Sequence, residues 1–124
     1  MLNFTGLLAV LPASDLDRAR AFYRDTLGFD AEEVDEGGAI FTVAGGKFLL
    51  YETSNAGTAR NTALSLETDD LEKTMAEMRE RGITFEEYDF PGLTTVNGIA
   101  EMGSERGAWF VDSEGNIIAV GQRI

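Results

Sequence analysis

Residues 14–29 read Ser14-Asp15-Leu16-Asp17-Arg18-Ala19-Arg20-Ala21-Phe22-Tyr23-Arg24-Asp25-Thr26-Leu27-Gly28-Phe29, and the fold follows from this stretch because its surroundings recur later in the chain. Ser14 is suited to cap a helix, with Asp17 as reciprocal partner in a weaker form of the capping box. Leu16, Ala19, Tyr23 and Leu27 recur on one helical face with Phe22 beside them, which assigns the Phe22-Tyr23 pair to packing on a sheet. Gly28 ends the helix. Upstream, the apolar run Phe4 to Leu11 stops at Pro12 and predicts a strand. Downstream, strands are predicted around Ala31 to Val34, Ala39 to Val43 and Lys47 to Glu52. Gly37-Gly38 and Gly45-Gly46 offer the positive-φ residues that two-residue hairpins require.

The same order returns in the second half. Ala63 to Glu67 predicts a strand, Asp69 a cap with Glu72 as its partner, and Leu71, Met75 and Met78 a buried helical stripe that Gly82 closes. Further strands are predicted at Thr84 to Glu87, Gly98 to Met102, Gly107 to Val111 and Asn116 to Gly121, the last two joined by Asp112-Ser113-Glu114-Gly115. Asp15-Leu16-Asp17 answers Asp70-Leu71-Glu72 at an offset of 55 residues. Two βαβββ modules, residues 1–53 and 62–124, therefore form one α+β domain, and the small and polar stretch 54–61 is the linker between them.

Composition removes whole classes of chemistry. The 124 residues contain no histidine and no cysteine, so Ser-His-Asp and Cys-His catalysis, His or Cys zinc sites and disulfides are all excluded. A hydrophobic share of 44% suffices for one core without such staples. The formal charge of −12 opposes phosphate backbones and anionic lipid, so neither nucleic acid nor a membrane is an expected partner. Met1-Leu2-Asn3-Phe4 lacks the basic and apolar regions of a signal peptide, and no stretch approaches the roughly 20 apolar residues of a membrane span. Residence in the cytoplasm is the expectation.

Residues 14–29 resemble the opening helix of the vicinal oxygen chelate superfamily, which holds glyoxalases, bleomycin-resistance proteins and extradiol dioxygenases. Asp69-Asp70-Leu71-Glu72 resembles its second helix start, and Trp109 to Ala119 its closing hairpin. The resemblance spans nearly the whole chain. It implies two tandem βαβββ modules whose curved mixed sheet lines a cleft, commonly completed by a second subunit, so a homodimer is expected. In metal-dependent relatives histidine and glutamate on the central strands hold the ion. The matching positions here are Leu8 and Ala63, seven residues before Asp15 and Asp70, then Ala119, and Leu50 or Tyr51. The resemblance thus implies the fold without metal or other cofactor, and neither metal-dependent glyoxalase nor dioxygenase activity is expected. Glu52, Glu67 and Glu101 on predicted strands are the remaining donors for a hard cation, although one slip of register turns each to the opposite face.

Without charged ligands, the cleft is expected to be lined by Leu8, Val10, Ala63, Ser65, Trp109, Val111, Ile117 and Ala119, with Phe48 and Tyr51 on its other wall. Trp109, the single tryptophan, is suited to stacking on a planar ligand. The loop from Asp89 to Asn97 is long enough to cover the cleft. Arg106 stands near the expected mouth as a counter-charge or as a partner of Glu101 or Glu105. The acidic clusters at 32–36 and 86–89 read as solvated surface. These features point to a metal-free protein that sequesters a small hydrophobic or aromatic molecule. The alternative is a lyase or isomerase using Glu67, Glu101, Tyr51 or Tyr88 for acid–base chemistry.

Overall fold

Each half of the chain builds the same unit in the computed structural model, which describes residues 2–124. Module one comprises β1 (Ala9–Ala13), α1 (Leu16–Asp25), β2 (Ala31–Asp35), β3 (Gly38–Val43) and β4 (Gly46–Glu52). Module two comprises β5 (Thr62–Glu67), α2 (Leu71–Glu80), a small hairpin of β6 (Asp89–Phe90) and β7 (Leu93–Thr94), then β8 (Ala100–Met102), β9 (Glu105–Val111) and β10 (Ile117–Arg123). The sheets run β1-β4-β3-β2 and β5-β10-β9-β8. In each, the first strand lies parallel to the last, the helix supplies the crossover, and the remaining pairs are antiparallel. The two expected βαβββ modules thus each carry a four-stranded mixed sheet.

Strand alternation sorts side chains onto two faces. Leu11, Ala13, Ala39, Phe41, Phe48 and Leu50 of sheet one, with Ala108, Phe110, Ile118 and Val120 of sheet two, point inward and meet the helices in one continuous core. Tyr23 is fully buried there, and Phe41 and Phe48 stack beneath it with ring centroids 4.8 Å apart. Both helices end on glycines in the left-handed region, Gly28 at φ 78° and Gly82 at φ 93°, as their sequence positions require.

Four local expectations are corrected. The caps are Asp15 and Asp70, whose carboxylates accept from the amides of Arg18 and Lys73, one residue beyond Ser14 and Asp69. Ser14 is drawn away by Glu114, and the Asp69 carbonyl accepts from the Gln122 side chain. β1 begins at Ala9 rather than Phe4, because its partner β4 starts at Gly46 and leaves little ladder upstream of the Ala9–Phe48 pair. The β3–β4 turn uses Ala44 (φ 49°) and Gly45 (φ 85°) instead of Gly45-Gly46. Thr84 to Glu87 is not a strand. It follows β9 for one hydrogen bond, Glu86 amide to Trp109 carbonyl at 2.8 Å, before the chain turns into the β6–β7 hairpin.

The modules are tied by the turn between β9 and β10. The Tyr23 hydroxyl donates to Asp112 Oδ2 at 2.7 Å, and the Asn116 side-chain amide donates to Asp112 and to the Pro12 carbonyl. Glu114 accepts from the amides of Ser14 and Asp15 and from the Arg18 guanidinium, whose Nε lies 2.8 Å away. The hydrogen bonds from Arg18 lower the Glu114 carboxyl from 4.5 to about 2 against the opposing cost of burial. Burial, with Asp112 alongside, raises the Tyr23 phenol, which therefore stays protonated and donating.

Candidate functional site

The faces turned away from the core carry the residues of interest. Register places Trp109 opposite Ala119 and Val111 opposite Ile117, all on the outer face of sheet two. A cavity of about 700 Å³ lies over Trp109, Val111 and Ile117, walled by Tyr88, Phe90 and Leu93 and bordered at one side by linker residues 57–61 and Thr62. Trp109 belongs to its lining: the residue is 9% exposed, and its indole N–H donates to Thr62 Oγ1 at 3.2 Å. Tyr88 meets it edge-on with centroids 5.7 Å apart and continues edge-on to Phe90 at the same spacing. Ala100 and Ala119 are buried beside the indole, with Tyr88, Leu93 and Ile117 packed against the cluster.

The covering hairpin is braced at its base. Thr95 Oγ1 accepts from the Tyr88 amide, and Glu87 accepts from both the Thr95 hydroxyl and the Gly98 amide. Those hydrogen bonds, Thr95's first, lower the Glu87 carboxyl and keep it an acceptor. The loop expected from 89 to 97 is therefore an ordered hairpin over the tryptophan. On the opposite side the linker presses against the β9–β10 turn, where a Cβ on Gly115 would meet Gly57 Cα at 2.8 Å. That approach brings Arg60 to the cavity wall, where it is the one charged residue of the lining. Among the described residues Arg60 makes no ion pair.

The remaining expected residues are distributed elsewhere. Leu8 borders a smaller cavity of about 300 Å³ on the outer face of sheet one, with Ile40, Lys47 and the acidic pair Glu32 and Glu33. Val10 and Tyr51 share that open face, 55% and 38% exposed. Ala63 is exposed at the irregularity in the β5–β10 ladder, and Ser65 borders a different cavity, at the free edge of β5. Phe48 is a correction: it is buried in the core against Tyr23 and Phe41, on the face opposite Tyr51. The cavity over sheet two draws no lining from sheet one, so within one chain the two outer faces carry separate cavities. Sequence reading missed Arg60, Thr62 and Tyr88 as lining, because a polar linker and an irregular segment carry no periodicity that assigns a facing direction.

The donor set does not suit a divalent metal. Leu8, Ala63 and Ala119 offer only hydrocarbon, and the alternation of β4 leaves the phenol of Tyr51 outward while Leu50 is buried. Glu52 is committed to α1, accepting from the Leu16 amide, and Glu101 lies 3.9 Å from Arg106. Arg106 itself pairs in bidentate fashion with Glu72, at 2.9 and 2.6 Å, rather than guarding the mouth. Among the described residues no group of three potential metal-binding side chains comes together. For acid–base chemistry, Tyr88 is the one candidate on the wall of the tryptophan cavity, and burial raises its phenol away from neutrality. Glu67, Glu101 and Tyr51 do not join it in that lining.

The family model described as the glyoxalase/bleomycin resistance protein/dioxygenase superfamily matches residues 6–120. No curated protein matches the chain. Among solved structures, the chain is similar to TnmS3, an antibiotic binding protein from Streptomyces sp. CB03234, at 24% identity and a TM-score of 0.67, covering 100% of both chains. The virulence protein STM3117 from Salmonella typhimurium is similar at 19% identity and a TM-score of 0.70, also over 100% of both chains. A glyoxalase/bleomycin resistance protein/dioxygenase from Alicyclobacillus acidocaldarius is similar at 17% identity and a TM-score of 0.68, over 95% of this chain and 90% of that one. At these identities the structural likeness bears on the fold.

Proposed function

The chain belongs to the glyoxalase/bleomycin resistance protein/dioxygenase superfamily, and on that premise we propose that it is a metal-free binding protein that sequesters a planar aromatic molecule over Trp109. The observation that carries this reading is the combination of hydrocarbon at Leu8, Ala63 and Ala119 with an aromatic cavity of about 700 Å³. That volume lies in the range of small-molecule sites, roughly 300–1,000 Å³. Affinity comes from stacking on the indole and desolvation against Tyr88, Phe90 and Leu93, with Arg60 as a counter-charge for an anionic substituent. A carboxylate or phenolate on the ring system would meet the one cation of the wall, in a chain whose net charge of −12 otherwise repels anions. The similarity to an antibiotic binding protein supports sequestration as the mode of action.

The functional unit in this reading is a homodimer in the cytoplasm. Val10, Tyr51 and Val111 leave apolar outer faces open, and a second copy that laid sheet one over the cavity of sheet two would cover both halves by symmetry. No helix among the described residues is long and apolar enough to cross a membrane. The test is titration of Trp109 fluorescence with 2-naphthoate and its neutral carboxamide, paired with sedimentation equilibrium. Quenching by both probes, stronger for the carboxylate, together with a mass of two chains, is the expected result. Emission unmoved by either probe would reject the site, and a mass of one chain would reject the dimer.

A further inference from the structure

The internal repeat brings the modules together at two related places, and only one of them is closed. Glu52 accepts from the Leu16 amide at 3.2 Å and Gln122 from the Leu71 amide at 2.9 Å, so β4 superposes on β10 at these residues. Following the ladders from there, Phe41 corresponds to Phe110 and Val43 to Asp112. Counting from the caps, Tyr23 of α1 corresponds to Met78 of α2. The counterpart of the buried Tyr23–Asp112 hydrogen bond is therefore the pair Met78 and Val43, which has nothing to donate or accept between side chains. The turn that would carry a counterpart of Glu114 is shortened to Ala44-Gly45. In place of a tie there is a cavity of about 620 Å³, lined by Val43 and Met78 with Leu27, Phe29 and Leu66.

We propose that this cavity is a second small-molecule site, distinct from the one over Trp109, that takes a compact uncharged apolar molecule and joins α2 to module one where the polar tie is missing. Its apolar walls come from both modules, and the space is large enough to bury most of a ligand of two or three fused rings. An ionic ligand is disfavoured. The rim carries Glu67 and Glu77 against Arg81, whose Nη1 already donates to the Thr26 carbonyl at 3.3 Å, and the side chains of Leu66, Met78 and Val120 hold no group that could pair a buried charge. The site does not depend on the function proposed for the tryptophan cavity, since the two linings share no residue.

The experiment uses the full chain with methionine methyl groups labelled with carbon-13, titrated with N-phenyl-1-naphthylamine, an uncharged apolar probe. The Met78 methyl reports on the cavity between the modules, and the Trp109 indole N–H reports on the cavity over sheet two. A saturable shift of Met78 is expected. It should be lost in Val43→Phe, which fills the space, and reduced in the milder Val43→Leu, with thermal unfolding confirming that each variant folds. A probe that moves Trp109 but leaves Met78 unchanged overturns the proposal, as does a Met78 shift that persists undiminished in a folded Val43→Phe protein.

Discussion

Modules one and two share their strand order and helix placement, yet they differ in what lies above the outer face of the sheet. In module one the connection from α1 to β2 runs directly from Asp25 to Ala31. In module two the connection from Glu80 to Ala100 is long enough to throw out the β6–β7 hairpin, which roofs Trp109 with Tyr88 and Leu93. The same unit thus carries a small cavity with charged walls in one copy and a larger aromatic one under a hairpin in the other. A change confined to one loop, leaving the strand order and helix placement alone, separates an uncovered outer face from one that carries its own roof.

That contrast is tested most severely by truncating one outer-face residue in each module. Trp109→Ala should cost about 3–5 kcal/mol of stability, because it empties a packed aromatic cluster. Val10→Ala, at 55% exposure on the corresponding face of module one, should stay within about 0.5 kcal/mol. Denaturant midpoints of the two variants provide the comparison, and equal losses would mean that the second module is not the more closed. The milder Trp109→Phe should keep the fold while weakening 2-naphthoate.

The tie between modules predicts the next largest effect. Glu114→Gln should lower stability by roughly 2–3 kcal/mol at neutral pH, since a buried acceptor of charge-assisted bonds becomes a neutral amide. The folded-state carboxyl sits at about 2 against an ordinary 4.5. Its contribution is therefore present above that ordinary value and is lost as pH falls from there toward about 2. Wild type should lose stability across this window more steeply than Glu114→Gln. Parallel acid-unfolding curves would show that Glu114 is not the group responsible. The smallest expected effect belongs to the cavity wall: Arg60→Ala should weaken 2-naphthoate about tenfold, near 1.4 kcal/mol, and leave the neutral carboxamide unchanged. Equal loss for both probes would remove Arg60 from the charge-selecting role.

The elements and the repeat were legible because their signals are local and periodic. Leu16, Ala19 and Tyr23 mark one helical face, and the second copy restates the pattern around Leu71, Met75 and Met78. The caps slipped by one residue because Ser14 and Asp15 are both good caps and their distant partner Glu114 decides between them. The site was legible only in part. Trp109, Val111 and Ile117 line the cavity as the alternation of their strands indicates. Phe48 was assigned to the wrong face because Phe48-Leu49-Leu50-Tyr51 is apolar throughout and carries no phase. Arg60 and Glu114 owe their positions to contacts with residues far away in sequence, which no local pattern encodes.

The contact between Gly57 and Gly115 gives the linker a further significance. It holds the segment bearing Arg60 against the same turn that presents Glu114 to α1, so one short piece of surface chain touches both the cavity and the joint between modules. Arg60 is also the single lysine or arginine between positions 54 and 61, which makes it the one place where trypsin could cut the linker. If the cavity takes the anionic aromatic ligand proposed for it, occupancy and survival of that peptide bond become two readings of one equilibrium. A ligand held by the arginine would then shield the bond from trypsin, and cleavage after Arg60 would slow as the cavity fills.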